Sequence, residues 1–212
     1  MHQQWNVATG TGNPTRSVQV NELIKWVKKL EVRKQGKASS ARRAIEAPEF
    51  EQTIEILQES EDIKKKYMVT TAAKFQYAMV ARIDDTAHFK KEDLKRHQQF
   101  DFALQAQMCW SKNVLEEHED APADQILLGS MDTCYCILLA LGIYLEVSLR
   151  GAGQGVGHGF LFGHSHDNGN TNKHFIATKL SQVWTTDNRF VRVREGPLGS
   201  HSLRKYPSTR AR

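Results

Sequence analysis

The sequence predicts a mainly α-helical protein with a small antiparallel β-sheet (α+β). Three observations predict it. Apolar residues recur mostly at three- and four-residue spacing, as in Val20, Leu23, Ile24, Val27 and Leu30, or Phe50, Ile54 and Leu57, the period of a helix with one buried face. One stretch changes to period two: Phe100, Phe102, Leu104, Ala106, Met108 and Trp110 alternate with mainly polar residues, the signature of a half-buried strand. Finally, 212 residues with 40% apolar and 25% charged content suffice to bury a core.

In chain order, residues 1–16 carry Gly10, Gly12, Asn13 and Pro14 and read as an irregular lead-in. Ser17 is placed to cap a first helix with a Lys-rich outer face. Gln35-Gly36-Lys37 ends it, and residues 36–47 form a basic linker, which divides the chain into residues 1–40 and 41–212. Pro48 suits the first turn of the next helix, where Glu49 and Glu51 complement the positive end of the helix dipole. A further helix is expected from Asp62 to about Ala81, burying Val69, Ala72, Phe75, Ala78 and Met79. Ser111-Lys112-Asn113 follows the alternating strand as the turn of a hairpin. Asp132 is expected to cap an apolar helix that contains Cys134 and Cys136, runs to Leu149 and is hydrophobic on nearly all sides, hence the central helix of the core. Asn172 should cap another helix, and Ser200 a last one that Pro207 interrupts.

Composition excludes several classes. The longest apolar run, Cys134 to Leu145, has 12 residues, too few for a bilayer, which takes roughly 18–20. Met1 is followed by His, Gln and Trp, with no charged-then-apolar leader. Three cysteines without a C-x-x-C pair fit neither a disulfide scaffold nor a cysteine-rich zinc module. The net charge of +5 is unevenly placed: Arg16 to Arg43 carries +7, Arg189 to Arg212 carries +6, and the residues between sum to −8. Basic ends around an acidic middle are the footprint of a polyanion such as DNA, or equally the solvated faces of ordinary helices.

Gly151 to Gly159 is glycine-rich, but no register yields G-x-G-x-x-G and no G-K-[ST] follows, so a nucleotide loop is excluded. His158, His164, His166 and His174, with Asp167, crowd one segment. H-x-H without a positioned third ligand discriminates poorly, and the sequence calls for no metal and no cofactor; a His-loop zinc site is the third and weakest reading. A more informative set comes in order. Val80-Ala-Arg-Ile-Asp-Asp85 leads to Lys90-Lys-Glu-Asp-Leu94, Lys112 follows Arg82 by 30 residues, and Gly199-Ser-His-Ser-Leu-Arg-Lys205 places His201 119 residues after Arg82. Guanidinium forks match the non-bridging oxygens of a phosphate, and His and Lys move protons to and from its bridging oxygens.

This order of Arg, hairpin Lys and His-x-x-Arg resembles the catalytic domain of the tyrosine recombinases, the phage-integrase family. Arg82 with Asp85 and the later Lys-Glu-Asp-Leu is similar to the family's first arginine box. Ala41-Arg-Arg-Ala-Ile-Glu-Ala-Pro-Glu-Phe50 resembles its linker and opening helix. Cys136-Ile-Leu-Leu-Ala-Leu-Gly-Ile-Tyr-Leu145 and Phe160-Leu-Phe resemble versions from eukaryotic mobile elements. The resemblance covers roughly residues 40–212. It implies a recombinase-like fold in which Arg82 and Arg204 clamp the phosphate, His201 is the acid/base and Lys112 protonates the leaving 5′-oxygen. Asp85 would support the backbone around Arg82. The implied partner is double-stranded DNA, with homo-oligomers on DNA for a full-length form, no membrane, and the nucleus if the source is a eukaryotic element.

The departures are specific. The family's nucleophilic tyrosine lies well downstream of His-x-x-Arg; here Tyr206 falls within the box, and Tyr67, Tyr77, Tyr135 and Tyr144 sit in apparent core helices. The expected function is therefore DNA binding by a recombinase-like domain that does not form the phosphotyrosyl intermediate alone. The alternative is a non-catalytic helical DNA- or protein-binding module derived from a mobile element.

Overall fold

The computed structural model describes residues 17–32, 42–109, 124–151, 159–163 and 169–210. The chain divides into two compact units, Met1–Ala41 and Arg42–Arg212. In the first, helix α1 (Val18–Val32) starts where Ser17 Oγ accepts a hydrogen bond from the Val20 N–H at 3.2 Å. Of its apolar stripe, Leu23, Ile24 and Val27 are exposed, as is Trp26.

The second unit is mainly helical with one small sheet. Helix α2 (Ala47–Gln58) has Pro48 in its first turn and buries Phe50, Ile54 and Leu57, as the spacing predicts. Next comes a π-helical turn, Lys64–Val69, which runs directly into α3 (Thr70–Ala78). The expected single α-helix to Ala81 is thus wound differently at its start and shorter at its end. Five-residue α4 (Ile83–Ala87) precedes a 3₁₀ turn, Lys91–Asp93, and strands β1 (Leu94–Arg96), β2 (Ala103–Gln107) and β3 (Asp124–Leu128). The strands form an antiparallel sheet in the order β1-β2-β3, with Leu94 opposite Ala106 and Gln105 opposite Ile126. Helices α5 (Ile137–Gly151), α6 (Gly169–Thr185) and α7 (Ser200–Arg210) follow.

Several expectations are corrected. The alternating run becomes a strand only from Ala103: Phe100 and Phe102 stand in the preceding turn and are exposed, while Ala103, Ala106 and Met108 face the core. Asp132 does not cap α5. Its Oδ1 accepts from the Cys134 N–H at 2.8 Å in a turn five residues upstream, so Cys134 and Cys136 precede the helix. Asn172 lies buried inside α6, which begins three residues earlier at Gly169. Pro207 does not interrupt α7, which continues to Arg210.

The larger correction concerns the centre of the core. Helix α5, although the most apolar, leaves Leu139 and Ile143 exposed on one face. The central helix is α3, in which every residue from Thr70 to Gln76 is buried. It packs against α2, α4, α5 and α7, and Phe75 meets Phe89 and Phe162 at centroid distances of 4.9 and 5.5 Å. Burial of such a ring contributes roughly 1.5–3 kcal/mol. Polar Thr70, Thr71, Lys74 and Gln76 hide this helix in the sequence, because hydropathy marks them as an outer face.

Candidate functional site

Arg82 is positioned by the way α3 ends. The Val80 N–H bonds to the Tyr77 carbonyl at 3.3 Å and the Ala81 N–H to the Gln76 carbonyl at 3.1 Å. Those two bonds close a Schellman motif whose left-handed residue, usually glycine, is here Val80 at φ +50°. A β-branched residue in that region is strained. The turn reverses the chain so that Arg82, extended at φ −77° and ψ 156°, becomes the N-cap of α4. Buried Asp85 reaches back, its Oδ2 accepting from the Arg82 N–H at 3.0 Å, and Thr86 Oγ1 donates to the Arg82 carbonyl at 3.0 Å. Asp85 therefore holds the backbone of Arg82 and leaves its guanidinium for other partners. Helix α4 is tied to α6 by Lys173 Nζ on Asp84 Oδ1 at 2.7 Å.

His201 and Arg204 are carried by the first turns of α7. The side-chain amide of Gln76, on α3, donates to the Ser200 carbonyl. On the other side the Ile45 N–H bonds to the Ser202 carbonyl at 3.2 Å, and Lys205 Nζ donates to the Arg42 carbonyl. Ser202 and Leu203 are fully buried, while His201 is exposed and Arg204 half-buried. Arg82 and Arg204 form no ion pair with a carboxylate among the described residues.

The structure thus brings three of the four candidate residues to elements that share one anchor. Gln76 lies in the last turn of α3, bonded by its side chain to α7 and by its carbonyl to the turn that presents Arg82. Lys112 lies outside the described residues, in the connection between paired strands β2 and β3. His158, His164, His166 and Asp167 also lie outside them, His174 is exposed, and no cluster of three metal-ligating side chains occurs among the described residues.

The two basic ends of the sequence meet in part. Arg42 touches α7 through Lys205. A Cβ on Gly199 would come within 3.0 Å of Arg42 Cδ, a close approach that glycine permits. Arg43 is different. Its guanidinium forms a fork on Glu49, at 2.7 and 2.5 Å, and also bonds to the Gly196, Ala44 and Arg194 carbonyls. Glu49 is wholly buried and additionally accepts from the Glu46 and Val193 N–H groups at 3.0 and 2.9 Å. Burial alone would raise its carboxyl, but the bonds from Arg43, Glu46 and Val193 bring it net below its ordinary value. Arg43 is accordingly a structural clamp, its guanidinium engaged by Glu49 and three carbonyls.

Sequence reasoning missed Gln76, Val80 and the Arg43–Glu49 pair. Gln76 carried a usable signal, since a glutamine on the apolar side of a helix must find a buried partner. Val80 carried none, because valine is a poor predictor of a left-handed turn.

No protein-family model matches the chain, and no curated protein is significantly similar to it. Among the described residues no helix is long and apolar enough to cross a membrane.

Proposed function

We propose that residues 42–210 form a DNA-binding domain of tyrosine-recombinase type, in which Arg82 and Arg204 grip one backbone phosphate beside His201. One observation carries the reading. Residues 119 apart in sequence are fixed to the same end of one buried helix, Arg82 by the cap that closes it and α7 by the Gln76 bond. A three-stranded antiparallel sheet between them, with Lys112 in its β2–β3 connection, supports the same reading.

On this proposal the two guanidinium groups bind the non-bridging oxygens and stabilise charge that develops at phosphorus. Were a nucleophile supplied at that phosphorus, His201, exposed on the first turn of α7, would exchange a proton with a bridging oxygen and Lys112 would protonate the leaving 5′-oxygen. The proposal covers DNA binding and phosphate clamping and assigns no nucleophile.

The test is fluorescence anisotropy with a labelled DNA duplex over a salt series. Affinity should fall linearly in log–log form as salt rises, since neutralised phosphates release counterions, and Arg82→Ala and Arg204→Ala should each weaken binding several-fold. Binding that ignores salt and both substitutions contradicts the proposal. It would favour a helical protein-binding module.

A further inference from the structure

A cavity of about 360 Å³ opens on the side of α3 where it meets the π-helical turn and α5, and its lining includes Lys66, Thr70, Lys74, Thr133, Leu139 and Ile143. This volume lies within the usual range for small-molecule pockets. Lys74 is only 4% exposed, and its Nζ donates to the Thr133 carbonyl at 2.8 Å. An ammonium has three N–H groups, and Lys74 forms no ion pair with a carboxylate among the described residues. Asp132 attracts its charge from further away, as do the Cys134 and Cys136 thiols if ionised, yet burial still pushes the amine below the usual lysine range. A buried cation without a counter-ion is costly and is relieved by an anion brought into contact.

A second observation points the same way. Thr70, also 4% exposed, has a side-chain oxygen with no hydrogen-bond partner, which is uncommon for a buried hydroxyl. Thr71, which lines the same cavity, is satisfied by the Ala140 carbonyl at 3.2 Å, so of these two neighbouring hydroxyls only that of Thr70 is unmet. The π-helical turn leads directly into Thr70, and such turns are frequent at functional sites. The same cavity is lined by Leu139 and Ile143, the two large apolar residues that α5 leaves exposed.

We propose that this cavity binds a small organic acid, its carboxylate paired with Lys74 and hydrogen-bonded by Thr70, its apolar body against Leu139 and Ile143. The site is separate from the Arg82–Arg204 region and does not depend on the function proposed for it. A carboxylate supplies the missing counter-charge and accepts from the Thr70 hydroxyl, and the hydrocarbon removes the exposed edge of α5 from water.

The test uses the full 212-residue chain with benzoate as probe, followed by amide NMR and calorimetric titration. Benzoate should shift the Thr70, Thr71 and Ala140 resonances saturably, whereas its neutral isostere benzamide should not. Lys74→Met keeps the side-chain length without the charge, and should weaken benzoate at least tenfold. Ile143→Trp fills the cavity from its exposed rim, and should weaken benzoate similarly whether or not the Lys74 variant folds. Absence of a benzoate response in the unmodified protein would overturn the proposal. So would equal binding of benzamide, or benzoate binding retained in both variants. Inorganic phosphate that binds as tightly as benzoate would overturn the assignment of an apolar ligand body.

Discussion

The side-chain amide of Gln76 donates to the main-chain carbonyl of Ser200, so the start of α7 is set by the last turn of α3. Gln76 is fully buried and Ser200 half-buried, so an unmade bond leaves a carbonyl poorly served by water. Gln76→Leu should destabilise the protein by about 1–2 kcal/mol. It should also reduce DNA affinity several-fold, because His201 and Arg204 lose their register. Urea unfolding followed by circular dichroism reads the first effect and anisotropy the second. Unchanged affinity in a folded Gln76→Leu protein would detach α7 from the proposed DNA site.

Val80 sits at φ +50° in the position that glycine normally fills in such a helix cap. Relief of that strain is worth roughly 1–2 kcal/mol, offset in part by the greater freedom of an unfolded glycine. Val80→Gly is therefore expected to raise stability by about 0.5–1 kcal/mol without loss of DNA binding. A lower unfolding midpoint would show that the valine side chain contributes more through contact than its backbone costs.

The Arg43–Glu49 fork joins the entry to the second unit, the first turn of α2 and the segment around Val193. Removing one member leaves the other charged and buried, at a cost of about 3–5 kcal/mol. Glu49→Gln should show that loss in equilibrium unfolding.

The same pair predicts an acid limb. The folded carboxyl of Glu49 titrates below its ordinary 4.5, so between the two values the unfolded chain binds more protons than the folded one. Stability from this group is thus fully present above pH 4.5 and is lost as pH falls through the folded value. Unfolding free energies across the acid range should show a shallower decline in Glu49→Gln than in the unmodified protein.

Asp85 holds the Arg82 N–H. Asp85→Ala should cost about 1 kcal/mol as a lost helix-end hydrogen bond, and DNA affinity should fall although Asp85 carries the wrong charge to contact a phosphate. If instead affinity rises on removal of this negative charge, Asp85 acts by repulsion and not by holding Arg82.

Much of the helical part was legible because its signals are local. Ser17 caps α1, Pro48 opens α2, and Phe50, Ile54 and Leu57 bury as their spacing requires. What was not legible depended on tertiary partners. Thr70, Thr71, Lys74 and Gln76 look like the wet side of α3, yet each is buried because α2, α5 and α7 surround that helix. Phe100 and Phe102 follow the strand's alternation, but the β1–β2 turn claims them before pairing begins. Arg82, His201 and Arg204 were singled out from residue order, whereas Gln76 acquires meaning only from a carbonyl 124 residues away.

The most direct measurement is a double-mutant cycle on DNA affinity with Arg82→Ala, Arg204→Ala and the combined variant at one fixed salt concentration. Two residues that hold the same phosphate lose most of their joint contribution when either is removed. The account predicts non-additivity, with a coupling energy of about 1 kcal/mol or more between Arg82 and Arg204. Losses that add to within about 0.3–0.5 kcal/mol would mean two independent contacts, and the shared phosphate clamp would be contradicted.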